Sequence, residues 1–167
     1  MFEAHINDWI ENFLSVPTET FNNLPPCPFA KQAMIDKKIR CVELTNTFGL
    51  SMPEYFICEL ENFSYHWPKS KEVIILGCKP DKITSDELSI AVSHANNHFL
   101  HNRGYVALED HPDEVEEVQD VILNNKKYAV VFLQNMEKLN TARKALHKQD
   151  YYKYWTKEYY EDVVDDM

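Results

Sequence analysis

The chain has 167 residues, 44% of them hydrophobic and 13% aromatic, which is enough apolar material for one domain with a substantial core. Its formal net charge of −10 repels phosphate backbones, so we expect no nucleic-acid partner. No apolar run approaches the roughly 20 residues of a membrane span, and the N-terminal segment lacks the basic and apolar regions of a signal peptide, so we expect an acidic, cytoplasmic protein with no membrane partner.

The apolar pattern of the first half predicts alternating helices and strands. Apolar side chains recur at helical spacing over residues 2–14, which indicates an amphipathic helix. A short helix over 28–36 precedes a strand over 39–44, and another helix over 53–63 leads to the strand Val73–Cys78. The continuous run Val-Ile-Ile-Leu in that strand predicts a central position in its sheet.

The second half continues the alternation. Thr84 or Ser85 caps a long helix that reaches about residue 102. A strand over 105–108, a helix over 112–124, a strand over 128–133 and a helix over 136–146 follow. We therefore predict a single domain over 1–167 of α/β or α+β class, with one sheet of about four strands and helices packed on it. A ferredoxin-like arrangement is one option.

The positions of the glycines and cysteines argue against several common kinds of functional site. Glycines at 49, 77 and 104 allow neither G-x-G-x-x-G nor G-x-x-x-x-G-K, so the chain has no nucleotide-binding motif of those kinds. It also has no G-x-S-x-G nucleophile elbow. The four cysteines form no C-x-x-C pair, which argues against a zinc knuckle or a dithiol redox motif. We expect four reduced thiols.

Cys27 lies where a proline-rich loop is predicted to turn into a helix. Pro28 suits the first helical position, so Cys27 falls at or next to the N-cap. Backbone N–H groups and the helix dipole would lower the pKa of the thiol there and make Cys27 the most reactive cysteine. The three other cysteines are predicted on apolar faces of core elements. The alternative is that Cys27 is a small buried apolar residue.

His111 follows a predicted strand, at the kind of position where α/β sheets usually bind ligands. Glu109 and Asp110 precede it, and a carboxylate beside the ring would orient His111 as a general acid or base. A cysteine and a histidine far apart in sequence can still form a thiolate–imidazole pair in space. The alternative is that His111 or Asp110 caps the helix predicted from Pro112.

Three histidines, His94, His98 and His101, form a stripe on the long helix. A pair at i, i+4 can chelate one ion, whereas His94 and His101 are separated by about 10.5 Å of helix rise. We therefore predict that His94 and His98 bind a divalent metal only weakly, because no further ligands are evident. The alternative is a polar helix edge.

The C-terminal segment over 150–164 is rich in tyrosine and tryptophan, and Tyr151, Trp155 and Tyr159 share one helical face. We call residues 150–164 the aromatic segment. Aromatic side chains with polar tips suit interfaces, so the segment could dock a protein partner. Alternatively it folds back and covers the apolar surface of its own sheet, and we expect this second arrangement.

The run Cys-Pro-Phe-Ala-Lys at 27–31, the strand after it and His-Pro-Asp at 111–113 together resemble an uncharacterised bacterial domain family. Members of that family carry Asn-Leu-Cys-Pro-Phe-Ala-Lys after an N-terminal helix and a later hydrophobic strand that ends in His-Pro-Asp. The resemblance brings no established activity, but it implies that Cys27, Lys31 and His111 belong to one site. Cys-Pro-Phe is also similar to a glutaredoxin active site, although alanine replaces the usual second cysteine.

Two classes of function follow. The first is a small enzyme or ligand-binding protein for a small molecule. It would use Cys27 as a thiolate, His111 as acid, base or ligand, and Lys31 as an electrostatic aid. The second is a non-catalytic interaction module that docks a protein partner through the aromatic segment or the N-terminal helix. A histidine-based metal-binding protein is a further alternative. The cofactor is unknown, and a divalent metal is the one candidate that the sequence offers.

Overall fold

A computed structural model describes residues 1–45 and 47–165 and shows an α/β fold, with helices packed on a mixed four-stranded sheet. The elements in chain order are α1 (Phe2–Trp9), α2 (Ala30–Ile35), β1 (Ile39–Glu43), α3 (Met52–Tyr65), β2 (Val73–Cys78), α4 (Ser85–Ala95), β3 (Tyr105–Asp110), β4 (Glu117–Val118), β5 (Val121–Ile122), β6 (Ala129–Asn135), α5 (Met136–Lys148) and α6 (Lys157–Tyr160). None of the described helices is both long and apolar enough to cross a membrane.

The four-stranded sheet has the order β1-β2-β6-β3. Strands β1 and β2 are parallel, whereas β6 runs antiparallel to both of its neighbours, β2 and β3. The predicted central position of Val73–Cys78 is therefore confirmed, as is the α/β class. The main elements follow the order β-α-β-α-β-β, whereas a ferredoxin-like domain follows β-α-β-β-α-β. The ferredoxin-like option is therefore wrong.

The two faces of the sheet contact different helices, because successive residues of a strand point to opposite sides. On one face, α3 and α4 cover a core that contains Ile74, Leu76, Val131 and Leu133. On the other face, α1 packs against Val73, Ile75, Val130 and Phe132. We call these the packed face and the α1 face. The close approach of α1 depends on Gly77, because a Cβ atom at that position would lie 2.3 Å from the Phe2 ring.

Helix boundaries follow local capping chemistry. Thr84 caps α4, as predicted, since its hydroxyl accepts a hydrogen bond from the Glu87 N–H and the Glu87 carboxylate accepts one from the Thr84 N–H. The helix continues as a π turn and a 3₁₀ turn to Arg103 and ends at Gly104, whose φ of +82° is easily adopted by glycine. Helix α1 continues likewise through the π turn Ile10–Leu14, so the predicted extent of 2–14 is confirmed.

The helix predicted over 112–124 is wrong. This stretch contains the hairpin β4–β5 instead. Its valines and isoleucine are β-branched and favour strands, and Val118 is buried against Phe21. Gln119 adopts a φ of +55° between the two strands, a conformation that ends a right-handed helix. The Asn124 side chain donates to the Glu114 carbonyl at 3.1 Å and so partners a backbone group outside any helix.

Candidate functional site

A cavity of about 620 Å³ lies on the α1 face of the sheet. The sheet forms its first wall, with Ile75 and Phe132. Helix α1 and the loop before α2 form the second wall, and α5 with the aromatic segment forms the third. The volume falls within the range of about 300–1,000 Å³ that is typical of small-molecule sites.

Helix α5 turns one side toward this cavity. Leu139, Ala142, Arg143 and Leu146 line it, and their spacing of three, one and three residues places them on one helical face. The helix follows β6 directly and begins at Asn135, whose side-chain oxygen accepts a hydrogen bond from the Lys138 N–H. The opposite side of α5 carries exposed residues, among them Lys144 and Lys148.

The aromatic segment forms the outer wall of the cavity. Tyr151 is 4% exposed and stacks on Phe21 with 5.1 Å between ring centroids. Its hydroxyl donates to the Pro26 carbonyl, and Trp155 and Tyr159 pack in the same cluster. The prediction that the segment folds back is confirmed. Its partners, however, are the loop that contains Phe21, the β4–β5 hairpin and α5, rather than the sheet itself.

Cys27 lies half-buried on the cavity wall. Burial raises the pKa of its thiol, and this effect outweighs the N–H groups of Phe29 and Ala30, which lower the pKa by hydrogen bonding to sulfur. The expected low pKa is therefore wrong. Helix α2 begins at Ala30 with Phe29 as its N-cap, so Cys27 lies two residues before the N-cap rather than at or next to it, as predicted from the sequence.

His111 has a different environment. It is 2% exposed, and its Nε2 atom donates to the Ile83 carbonyl at 2.8 Å. Its Nδ1 atom accepts from the Asp113 N–H at 3.1 Å. These two bonds fit a ring that carries its proton on Nε2, and they tie the end of β3 to the connection before α4. His111 does not line the cavity, and no hydrogen bond or ion pair joins it to Cys27 among the described residues.

The remaining predicted residues also lie outside the cavity. Lys31 is exposed on α2 and does not line it. The rings of His94 and His98 stack with 4.0 Å between centroids, and His98 Nδ1 donates to the His94 carbonyl at 2.9 Å. Within residues 1–45 and 47–165, no three His, Cys, Asp or Glu side chains are grouped as a metal site requires. Cys58, predicted on an apolar face, is exposed.

Sequence reasoning missed the polar end of the cavity. Lys38 precedes β1, Glu72 precedes β2, and Lys138 is in the first turn of α5. Strand register brings them together, because Ile39 pairs with Val73. The Glu72 Oε1 atom lies 2.7 Å from Lys38 Nζ and 3.7 Å from Lys138 Nζ. All three residues line the cavity.

Two indole N–H groups at the cavity were also missed. Trp9 and Trp155 both line it, and each Nε1 atom is buried with no hydrogen-bond partner among the described residues. Buried donors of this kind are rare in native proteins. The tryptophans are 146 positions apart in the chain, so no local motif could have paired them. The one usable signal was the apolar face of α5, which needed a surface to contact.

The chain was compared with protein-family models, with curated protein sequences and with solved structures, and it matches none of them.

Proposed function

We propose that this protein binds a small, elongated molecule in the cavity on the α1 face, with an apolar body and oxygen atoms that accept hydrogen bonds. The observation that carries this proposal is the pair of partnerless, buried indole N–H groups of Trp9 and Trp155 on the wall of a largely apolar cavity. A buried donor without a partner costs about 1–3 kcal/mol. Because both tryptophans line the cavity, a ligand oxygen that reaches an indole N–H after a shift of the ring would remove that cost.

The shape of the cavity supports an elongated ligand. Lys138, in the first turn of α5, belongs to the charged end, and Leu146, near the last turn, belongs to the cluster around Tyr151. These two positions are about 12 Å apart along the helix axis at 1.5 Å per residue. A straight-chain amphiphile would therefore place its polar group near Lys38 and Lys138 and its chain among the aromatic side chains.

The donors at the cavity favour ligands that accept hydrogen bonds. The indole N–H groups, the Lys138 ammonium and the Arg143 guanidinium are all donors, and Arg143 Nη2 already donates to the Val163 carbonyl at 3.0 Å. The Glu72 carboxylate is already paired with Lys38 and Lys138, so a carboxylate or a hydroxyl suits this set better than an ammonium. Cys27 contributes a protonated thiol to the wall, because burial raises its pKa.

A thiol reaction on the bound molecule is the alternative, and the position of Cys27 on the cavity wall supports it. In that case His111 and Lys31 would not take part, since neither lines the cavity. A docking role for the aromatic segment has less support, because Tyr151 is already buried within the chain. Cys27→Ser distinguishes ligand binding from a thiol reaction, because a protein that only binds the ligand would keep its affinity for that ligand after the replacement.

The test is a titration with three ten-carbon probes, decanoate, decanol and decylamine, followed by calorimetry and by the fluorescence of the cavity tryptophans. We expect decanoate and decanol to bind with one molecule per chain. We expect decylamine to bind about tenfold more weakly, which corresponds to about 1.4 kcal/mol, the size of one hydrogen bond. If none of the three probes binds, the proposal is wrong.

A matched pair of variants locates the binding. Ala142→Phe adds a ring on the cavity side of α5, and Lys144→Phe adds the same ring on its exposed side. We expect the first to abolish binding and the second to leave it unchanged, with both variants checked by thermal melting. If Ala142→Phe does not fold, Trp9→Phe replaces it, because that variant keeps a ring but removes one donor. Unchanged decanoate affinity in both cavity variants would contradict the proposal.

A further inference from the structure

Glu116 contacts the aromatic segment, which forms the outer wall of the cavity. It lies immediately before β4 and is half-buried. Its Oε2 atom accepts a hydrogen bond from the Tyr159 hydroxyl at 3.4 Å. Tyr159 belongs to α6 within the aromatic segment, and Trp155 and Val163 of the same segment line the cavity. The charge of Glu116 therefore acts at the contact between the hairpin and the outer wall of the cavity.

Other carboxyl groups surround this contact. Burial first, and then the neighbouring carboxylates of Asp110, Glu109 and Glu114, raise the pKa of Glu116 to about 7, although the hydrogen bond from Tyr159 lowers it. Burial raises the pKa of Glu109 and of Tyr159, and the carboxylate of Asp162 on the segment raises both further. Burial raises the pKa of Asp110, and the adjacent imidazole of His111 lowers it.

We propose that the aromatic segment is a lid over the cavity, closed when Glu116 carries a proton and loosened when Glu116 is ionised. This inference rests on the proposed binding function, because a lid regulates access to a ligand site. Ionised Glu116 is repelled by Asp110, Glu109 and Glu114 while Tyr159 covers it, and water screens this repulsion and hydrates the carboxylate when the segment moves away. The neutral carboxyl has no such repulsion and keeps its contact with Tyr159.

The direction of the pH effect follows from proton linkage. Closed, Glu116 has a pKa of about 7, and once released it would return toward its ordinary 4.5. The closed form therefore holds more protons, so closure weakens as the pH rises from about 4.5 to about 7 and changes little above that. Burial raises the pKa of Glu109 as well, and the carboxylate of Asp162 on the segment raises it further, so removal of Asp162 on release adds an effect of the same sign.

Cys27 reports on the lid because the Tyr151 hydroxyl bonds to the carbonyl of the adjacent Pro26. The experiment measures alkylation of Cys27 by N-ethylmaleimide relative to exposed Cys58 in the same ligand-free molecule, by mass mapping between pH 5.5 and 8. The ratio cancels the tenfold increase in thiolate per pH unit that all thiols share well below their pKa. We expect the ratio to rise roughly tenfold from pH 5.5 to 7.5.

Variants identify the group responsible. In Glu116→Gln the ratio should stay near its low-pH value, whereas Glu117→Gln, at the exposed neighbouring position, should keep the rise. Glu114→Gln removes one repelling charge at an exposed position and should move the midpoint to lower pH, so it serves as the test if Glu116→Gln does not fold. A flat ratio in the unmodified chain, or an equal rise in Glu116→Gln, would overturn the lid proposal.

The two proposals fail separately. The alkylation ratio is measured without any ligand, and probe binding is measured at both pH 5.5 and pH 7.5. If decanoate binds but the ratio does not change with pH, the lid proposal is wrong and the binding proposal stands. If the ratio changes but no probe binds at either pH, the segment moves but does not regulate a ligand site, and both functional proposals are wrong.

Discussion

The two faces of the central sheet are filled differently. The packed face lies under α3 and α4, and its interior residues, among them Leu60, Ile74 and Leu88, have no exposed surface. The α1 face lies under one N-terminal helix, α5 and the aromatic segment, and it retains a cavity of about 620 Å³. One sheet, with alternating side chains of similar chemistry, thus supports a filled core on one side and a cavity on the other.

This difference shows where the protein keeps space for a function. Protein interiors normally pack as densely as organic crystals, whereas this cavity, which opens to solvent, has the volume of a small-molecule site. Crossover helices α3 and α4 join parallel strands and must lie directly on the sheet. Helix α5 and the aromatic segment have no such constraint. They pack on the Phe21 loop and the hairpin and so leave room above Ile75 and Phe132.

The largest expected effect is that of truncation after Gln149, which removes the outer wall of the α1 face. Burial of each large aromatic side chain contributes about 2 kcal/mol, and a domain of this size has only about 5–15 kcal/mol of stability. We expect the melting temperature to fall by about 10–20 °C, or the protein to become insoluble. Tyr154→Ala, at an exposed position of the same segment, is the control.

A truncated chain that remains monomeric, soluble and equally stable would contradict the expectation that the aromatic segment stabilises the α1 face. It would show that the aromatic segment contributes little to the α1 face, and it would leave Tyr151, Trp155 and Tyr159 as a surface for a partner. Circular dichroism melting together with light scattering distinguishes these outcomes.

Two neighbouring isoleucines on β2 allow the two faces of the sheet to be compared within one strand. Ile74 points into the packed face and Ile75 into the α1 face, and both are buried. We expect Ile74→Ala to cost about 4 kcal/mol, whereas Ile75→Ala costs about 2 kcal/mol, because Ile75 borders an existing cavity and loses fewer contacts. Urea denaturation with equal m-values measures both. Equal losses would mean that the cavity is filled in solution.

The smallest expected effect is a difference in labelling between thiols of the intact protein. Exposed Cys58 should react first and half-buried Cys27 second at neutral pH. Cys78, in the packed face, should stay unlabelled, because burial raises its pKa to about 12. Mass mapping after timed alkylation gives this order. Faster labelling of Cys27 than of Cys58 would restore the sequence-based expectation of a reactive nucleophile and favour thiol chemistry in the cavity.

Much of the fold was predictable because its signals are local. Helix periodicity, the cap at Thr84 and the apolar run in β2 each depend on a few neighbouring residues. The sequence favours a helix where the hairpin at 117–122 lies, because Val115, Val118 and Val121 recur every third residue among acidic residues, a spacing that also fits a helix. Burial of Val118 against Phe21, a contact between distant segments, decides that structure.

The sequence by itself determined the class of the fold, the central strand and the return of the aromatic segment, because periodicity and apolar content act at short range. It also singled out Cys27, which lies on the cavity wall. The residues that surround Cys27, in contrast, could be identified from the three-dimensional structure alone. Trp9, Trp155, Lys38, Glu72 and Lys138 line the same cavity, while His111 is bound to the backbone elsewhere. Burial, a property of the whole fold, also reversed the expected direction of the Cys27 pKa.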